Sequence, residues 1–155
     1  MVSMLTDSEI ARRLILAAAL GAILGLEREV RQKSAGLRTN ILIAVGAAVF
    51  TLMSIEMAAG TGGDPARIAA QIVTGVGFLG AGAIMRTRVG VHGLTTAATV
   101  WVNAALGVAA GGGQYHLALI AAGVTMVVLL VLAPLEAALD RRLPKRPNGN
   151  DPTAS

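Results

Sequence analysis

Long uncharged apolar runs alternate along the chain with short charged clusters. At about 20 residues per membrane crossing, five runs read as helices: 8–26, 37–59, 66–85, 94–111 and 116–135. The segments between them are short, so consecutive helices are expected to lie antiparallel. The pattern therefore predicts an all-α fold, a polytopic transmembrane bundle of about five helices. Residues 1–139 form its membrane domain and residues 140–155 a short polar cytoplasmic tail. The first run is the shortest in uncharged residues, and 14–26 alone could pass for a signal-peptide core. Against that, Thr6 and Glu9 stand at capping-box spacing. The helix is thus expected to start near Asp7, with Arg12 and Arg13 reaching back to lipid headgroups. In the third run Asp64 is placed to cap and Pro65 to occupy the first helical position, where its missing N–H is no loss.

Composition strengthens this picture. Hydrophobic residues make up 54% of the 155, above the roughly 45–50% of soluble domains, and only 14% are charged. The net charge of +4 does not point to nucleic acid: aromatics total 3%, and the basic residues cluster at the ends of apolar runs. Threaded through five spans, Arg28, Arg31, Lys33, Arg38, Arg86, Arg88, Arg141, Arg142, Lys145 and Arg146 fall on one side, and Arg12, Arg13 and Arg67 on the other. The excess of positive charge on cytoplasmic loops then sets the N-terminus outside and the C-terminus in the cytoplasm.

The polar residues inside the apolar runs are the candidate site. Arg67, Gln71, Thr74 and Phe78 recur at helical spacing, a stripe expected to face protein and not lipid. Thr95, Thr99 and Asn103 are four apart and should stack on one face of the fourth helix. An unpaired amide is costly in hydrocarbon, so Asn103 is expected to pair across helices, with Gln71 or Thr74 as partner. Such residues serve either as interhelical glue or as a polar pathway.

Gly21 with Gly25, and Gly107 with Gly111, have the small-xxx-small spacing that lets helix backbones approach closely. Gly75, Gly77, Gly80 and Gly82 line one stretch of the third run and happen to read G-x-G-x-x-G. They lie inside an apolar helix, not between a strand and a helix start, so packing or helix bending is expected and not dinucleotide binding.

At the end of the first run, Glu27, Arg28 and Glu29 are expected to form an ion-pair collar with Arg38 and Arg86, or a cation or docking site. Glu56 is placed to meet Arg67 across the second loop. His92 and His116 read as interfacial, and no metal ligands are assigned. With no cysteine, no nucleophile beside a base, no H-E-x-x-H and no phosphate loop, the sequence predicts no catalytic residue, no cofactor and no enzymatic activity.

Several ordered motifs carry a family resemblance: Gly25-Leu26-Glu27-Arg28-Glu29, Ala35-Gly36-Leu37-Arg38-Thr39-Asn40, and Asp64-Pro65-Ala66-Arg67-Ile68-Ala69-Ala70-Gln71. They continue through the stretch from Gly75 to Arg86 and through Gly93-Leu94-Thr95-Thr96-Ala97-Ala98-Thr99-Val100-Trp101. From about residue 10 to 135 the chain resembles the MgtC/SapB/YhiD family. The resemblance implies a bacterial inner-membrane regulatory protein linked to magnesium homeostasis, adaptation to low magnesium and intracellular stress, and restraint of F-type ATP synthase. It departs from the family in two ways. Many members carry a C-terminal ACT-like domain where this sequence has a short tail, and some have asparagine where this chain has Thr95, which keeps an oxygen but not the amide donors.

Besides the lipid bilayer, the expected partner is another membrane complex, F-type ATP synthase by resemblance, or a second copy. The alternatives are a small oligomeric magnesium or proton transporter or channel, lined by Arg67, Gln71, Thr74 and Asn103 with Glu27 at its mouth, and a scaffold that transports nothing.

Overall fold

Local sequence signals account for where each helix starts and stops. The computed structural model describes residues 5–88 and 90–140, and among them five α-helices and one β-hairpin. Helix α1 (Asp7–Val30) starts where Thr6 Oγ1 accepts the Glu9 N–H at 3.3 Å. Helix α2 (Leu37–Thr61) begins with an amide that no turn of helix can satisfy; Glu29 Oε2 of α1 accepts the Leu37 N–H at 2.9 Å. Helix α3 (Arg67–Gly82) follows a turn in which Asp64 Oδ1 takes the Ala66 N–H at 2.8 Å. The carboxylate thus braces the turn before the helix and does not cap it: the N-cap is Ala66, the regular helix opens at Arg67, and Pro65 lies in the turn and not at the first helical position.

The third helix is also shorter at its far end than the apolar run implies. It stops at Gly82, and Met85 lies in a strand, β1 (Met85–Thr87), paired antiparallel with β2 (Gly90–His92). The reversal is completed by Gly93, the residue before α4 (Leu94–Gly111). It sits at φ 89°, and a Cβ there would collide with the Ala83 carbonyl. Only glycine combines that backbone angle with that approach. The apolar character of 83–85 concealed the break because hydropathy alone does not separate a helix end from a short extended segment.

Helix α5 (Tyr115–Asp140) closes the described chain. Residues up to Gly123 form one compact unit, and the helix from Val124 onward forms a second. The expected polar tail and its Arg141, Arg142, Lys145 and Arg146 lie outside the described residues. Among the described residues, three helices are long and apolar enough to cross a membrane: α2, α4 and the 115–132 part of α5. The bundle is a membrane fold, but α1 carries charges at both ends and α3 has only 16 residues, about 24 Å of helix at ~1.5 Å per residue.

In the first unit α1, α2 and α4 pack most extensively. Their junction is built almost entirely of alanine: Ala17, Ala44, Ala48 and Ala110 are fully buried together, flanked by Leu14 and Leu16. A second cluster of Ala35, Ala47, Val76, Val100 and Ala104 joins α2, α3 and α4. Small side chains dominate because lipid offers no hydrophobic drive for helices to associate. Close backbone approach and dispersion hold them together instead.

Candidate functional site

Glycine brings the three central helices close enough to meet. At Gly21 an added Cβ would stand 2.7 Å from the Asn40 carbonyl oxygen, and at Gly25 2.8 Å from Leu37 Cα, so α1 rides directly on the α2 backbone. From the other side, a Cβ at Gly107 would collide with the Ala44 carbonyl, and one at Gly111 would lie 2.7 Å from the Ala48 carbonyl oxygen. The stripe of Ala44 and Ala48 is therefore held between neighbours on both flanks.

Where these contacts converge, the structure buries a polar junction. Asn103 is completely buried, and its Nδ2 donates to the Asn40 carbonyl oxygen at 2.5 Å and to Asn40 Oδ1 at 3.2 Å. Asn40, also completely buried, donates from its own Nδ2 to the carbonyls of Ala35 at 2.8 Å and Gly36 at 2.9 Å. The partner of Asn103 is thus Asn40 on α2, not Gln71 or Thr74 on α3. The reason lies in the glycines: they draw α4 onto α2, whereas α3 meets α4 one face away. Asn40 ends the Ala35–Asn40 motif, and its position four residues after Gly36 at a helix start is the one signal in the sequence that marks it. Asn103 Oδ1 has no partner. Thr96 and Thr99 are buried above it, Thr99 Oγ1 returning to the Thr95 carbonyl at 2.8 Å, while Thr95 itself is exposed. The buried threonine of that pair is therefore Thr96, and the expected single stack keeps only Thr99 and Asn103.

The charged cluster at the end of α1 is buried as well. Arg28 lies against its neighbour Glu27 through Nε–Oε2 at 2.6 Å and Nη2–Oε1 at 3.0 Å, and Arg31 reaches Glu27 Oε1 at 2.6 Å. Glu29 caps α2 instead of joining an ion pair, and Arg38 and Arg86 are exposed and stand apart from this cluster. A buried guanidinium needs compensation, and Arg28 finds it in the preceding residue, Glu27, whose carboxylate is shared with the half-buried Arg31 just beyond the helix. One nitrogen, Arg28 Nη1, remains without a partner.

Helix α3 departs most from expectation. It buries Val76 and Gly80, with Ile72 partly covered, along one stripe. Arg67, Gln71, Thr74 and Phe78 are exposed, Phe78 at 82%, and Gln71 borders the open space between α3 and α2. The β-branched stripe one position on from Gln71 takes the inner face and rotates the polar stripe outward. Gly75, Gly77 and Gly82 meet no atom within 4 Å of a built Cβ, and Gly80 meets only ordinary contacts from Ala97. These glycines are not packing contacts within the chain.

Between α2 and α3 lies an open groove of about 750 Å³. Leu42, Gly46 and Phe50 line it from α2, Gln71, Gly75 and Leu79 from α3, with Val100 and Ala104 of α4 as its floor. At the opposite end of the bundle, Glu9 receives Arg12, Arg13 Nε at 2.9 Å and the Tyr115 hydroxyl, while Arg13 Nη1 donates to the Gly111 carbonyl at 2.8 Å. Arg13 therefore ties α1 to the end of α4 instead of reaching for headgroups. Glu56 accepts the Leu5 N–H at 3.1 Å, and Arg67 is exposed. Among the described residues, no group of three or more His, Cys, Asp or Glu could hold a metal ion.

The sequence model of the MgtC family matches residues 14–138 of this chain. The chain belongs to the MgtC family. It is 51% identical over 128 residues to protein MgtC of Salmonella typhimurium, covering 83% of this chain and 53% of that protein. It is 46% identical over 134 residues to the putative magnesium transporter YhiD of Escherichia coli, covering 83% of this chain and 62% of that protein. The protein slr0014 of Synechocystis is 42% identical over 130 residues, covering 84% and 55%. The chain spans about half the length of the first of these relatives, and no solved structure matches it. Match 14–138 takes in the Asn40–Asn103 junction, the Glu27–Arg28 cluster and the groove, so all three belong to the MgtC-type domain.

Proposed function

We propose that this MgtC-family chain is a multi-pass regulatory protein of the bacterial inner membrane, not an enzyme. It acts by binding another membrane protein, in magnesium-related physiology and stress adaptation, with F-type ATP synthase as the restrained partner. The N-terminus lies outside and the C-terminus in the cytoplasm. One observation carries the reading: α3 turns Arg67, Gln71 and Thr74 outward beside glycines with open space around them. Polar groups in a lipid-facing helix are costly, and small residues beside them permit another helix to approach and satisfy them. Apart from Gln71 and Gly75, which also border the α2–α3 groove, this face is open to such a helix.

The name of the Escherichia coli relative favours a second reading, an oligomeric magnesium or proton transporter. Inverted membrane vesicles from cells with and without the protein separate the two. ATP hydrolysis by the synthase and the proton gradient it builds are measured together. Restraint lowers both, and Gln71→Leu with Thr74→Leu should restore both. A leak lowers the gradient while hydrolysis rises through relief of back-pressure, and that outcome would overturn the regulatory reading. No change in either leaves a scaffold.

A further inference from the structure

The groove between α2 and α3 differs in character along its length. Its middle is mainly apolar, walled by Leu42, Ile43, Ile72 and Val76 with Gln71 as a polar side chain among them, and has open space at Gly46 and Gly75. At one end it is lined by Ser34 and Thr39. Exposed Lys33 and Arg38 are their sequence neighbours. Because α2 and α3 run in opposite directions, the α3 end that lines this same mouth, Gly82 and Ala83, leads into exposed Arg86 and Arg88 of the hairpin. None of these four cations belongs to the Glu27 ion-pair cluster.

From Thr39 to Phe50 the open groove runs about 16 Å at ~1.5 Å per residue, walled mainly by apolar side chains. Flexible hydrocarbon chains fit such a slot. We propose that it holds the acyl chains of an anionic phospholipid, whose phosphate is received by Ser34, Thr39 and the cations Lys33 and Arg38. Apolar walls take the chains, and hydroxyls and positive charge at one mouth select the headgroup, the arrangement by which basic recesses between membrane helices recognise acidic lipids.

The test uses the full chain purified in mild detergent, stripped of lipid by exchange and titrated with phosphatidylglycerol or phosphatidylcholine of identical acyl chains. Native mass spectrometry counts the bound lipid. At equal concentration, at least five-fold more retained phosphatidylglycerol is expected. The exposed double variant Lys33→Gln/Arg38→Gln should bring the ratio to within two-fold of unity. Filling the slot by Gly46→Leu/Gly75→Leu, positions with no neighbour within 4 Å, should remove retained lipid of both kinds while helicity by circular dichroism is kept. Equal retention of the two lipids by the unmodified chain overturns the proposal, whichever variants fold. So does undiminished lipid on a folded slot-filled variant. Dimers of the unmodified chain that vanish on slot filling would assign the groove to a second copy and overturn it equally.

Discussion

Asn103 illustrates how a single side chain can fix a helix pair in lipid. Its Nδ2 reaches two oxygens of Asn40, and Asn40 is anchored in turn on the carbonyls at the start of its own helix. The link sets the rotation of α4 relative to α2. Interhelical hydrogen bonds in membranes average about 0.6 kcal/mol and reach about 1.7 kcal/mol. With both groups fully buried, the pair belongs in the upper part of that range. Because Asn40→Ala keeps the backbone carbonyl that takes the shorter bond, a double-mutant cycle of Asn40→Ala and Asn103→Ala, read by reversible unfolding in mixed micelles, reports the side-chain bond alone and should give a coupling energy of about 0.6 kcal/mol. A coupling near zero would mean that the two amides do not interact. The pairing was only half legible in the sequence. The cost of burying Asn103 demanded an interhelical partner, but choosing among the available amides and hydroxyls required knowing which helix lies nearest. That is decided by Gly107 and Gly111 pressing on Ala44 and Ala48.

At the scale of the helix, two sets of glycines look alike in sequence and differ in kind. Gly107 and Gly111 have α2 backbone against them, whereas Gly75 and Gly77 face open space. Gly107→Ala should force α4 away from α2, with a destabilisation of about 1–3 kcal/mol typical of overpacking. Gly75→Ala should be neutral or stabilise by up to about 1 kcal/mol, since alanine is the better helix former. Equal losses from the two substitutions would contradict the placement of α3. The regulatory reading adds a further expectation: Gly75→Ala/Gly77→Ala should weaken the effect on ATP hydrolysis in inverted vesicles although the chain remains folded. Helix positions were readable from hydropathy to within a few residues, and the start of α1 from Thr6. The orientation of α3 was not readable, because its polar stripe and its apolar stripe are both continuous. Which one turns inward depends on Ile72 and Val76 finding the cluster around Val100 and Ala104.

For the whole molecule, the arrangement of charges predicts an orientation in the membrane. The loops after α1 and α3 carry Arg31, Lys33, Arg86 and Arg88, and Arg38 stands in the first turn of α2. At the opposite end Arg12 and Arg13 are both held by Glu9, and Arg13 is also bound to the Gly111 carbonyl. Arg13 engaged in this way closes the α1–α4 junction, while the carboxylate of Glu9 offsets part of the positive charge of the pair. That makes the charge asymmetry between the two ends stronger than a count of basic residues suggests. Because the sequence contains no cysteine, single cysteines can report the orientation without background. Cysteine placed at Gly63 should react with a membrane-impermeant maleimide on intact spheroplasts, and cysteine at Lys33 or Arg88 only after permeabilisation. The reverse labelling would place the basic mouth of the α2–α3 groove outside the cell. It would also put Lys33 and Arg38 on the face opposite the anionic cytoplasmic leaflet. Labelling of all three sites on intact cells would break the antiparallel threading of α2 and α3, since Gly63 and Lys33 stand at opposite ends of α2.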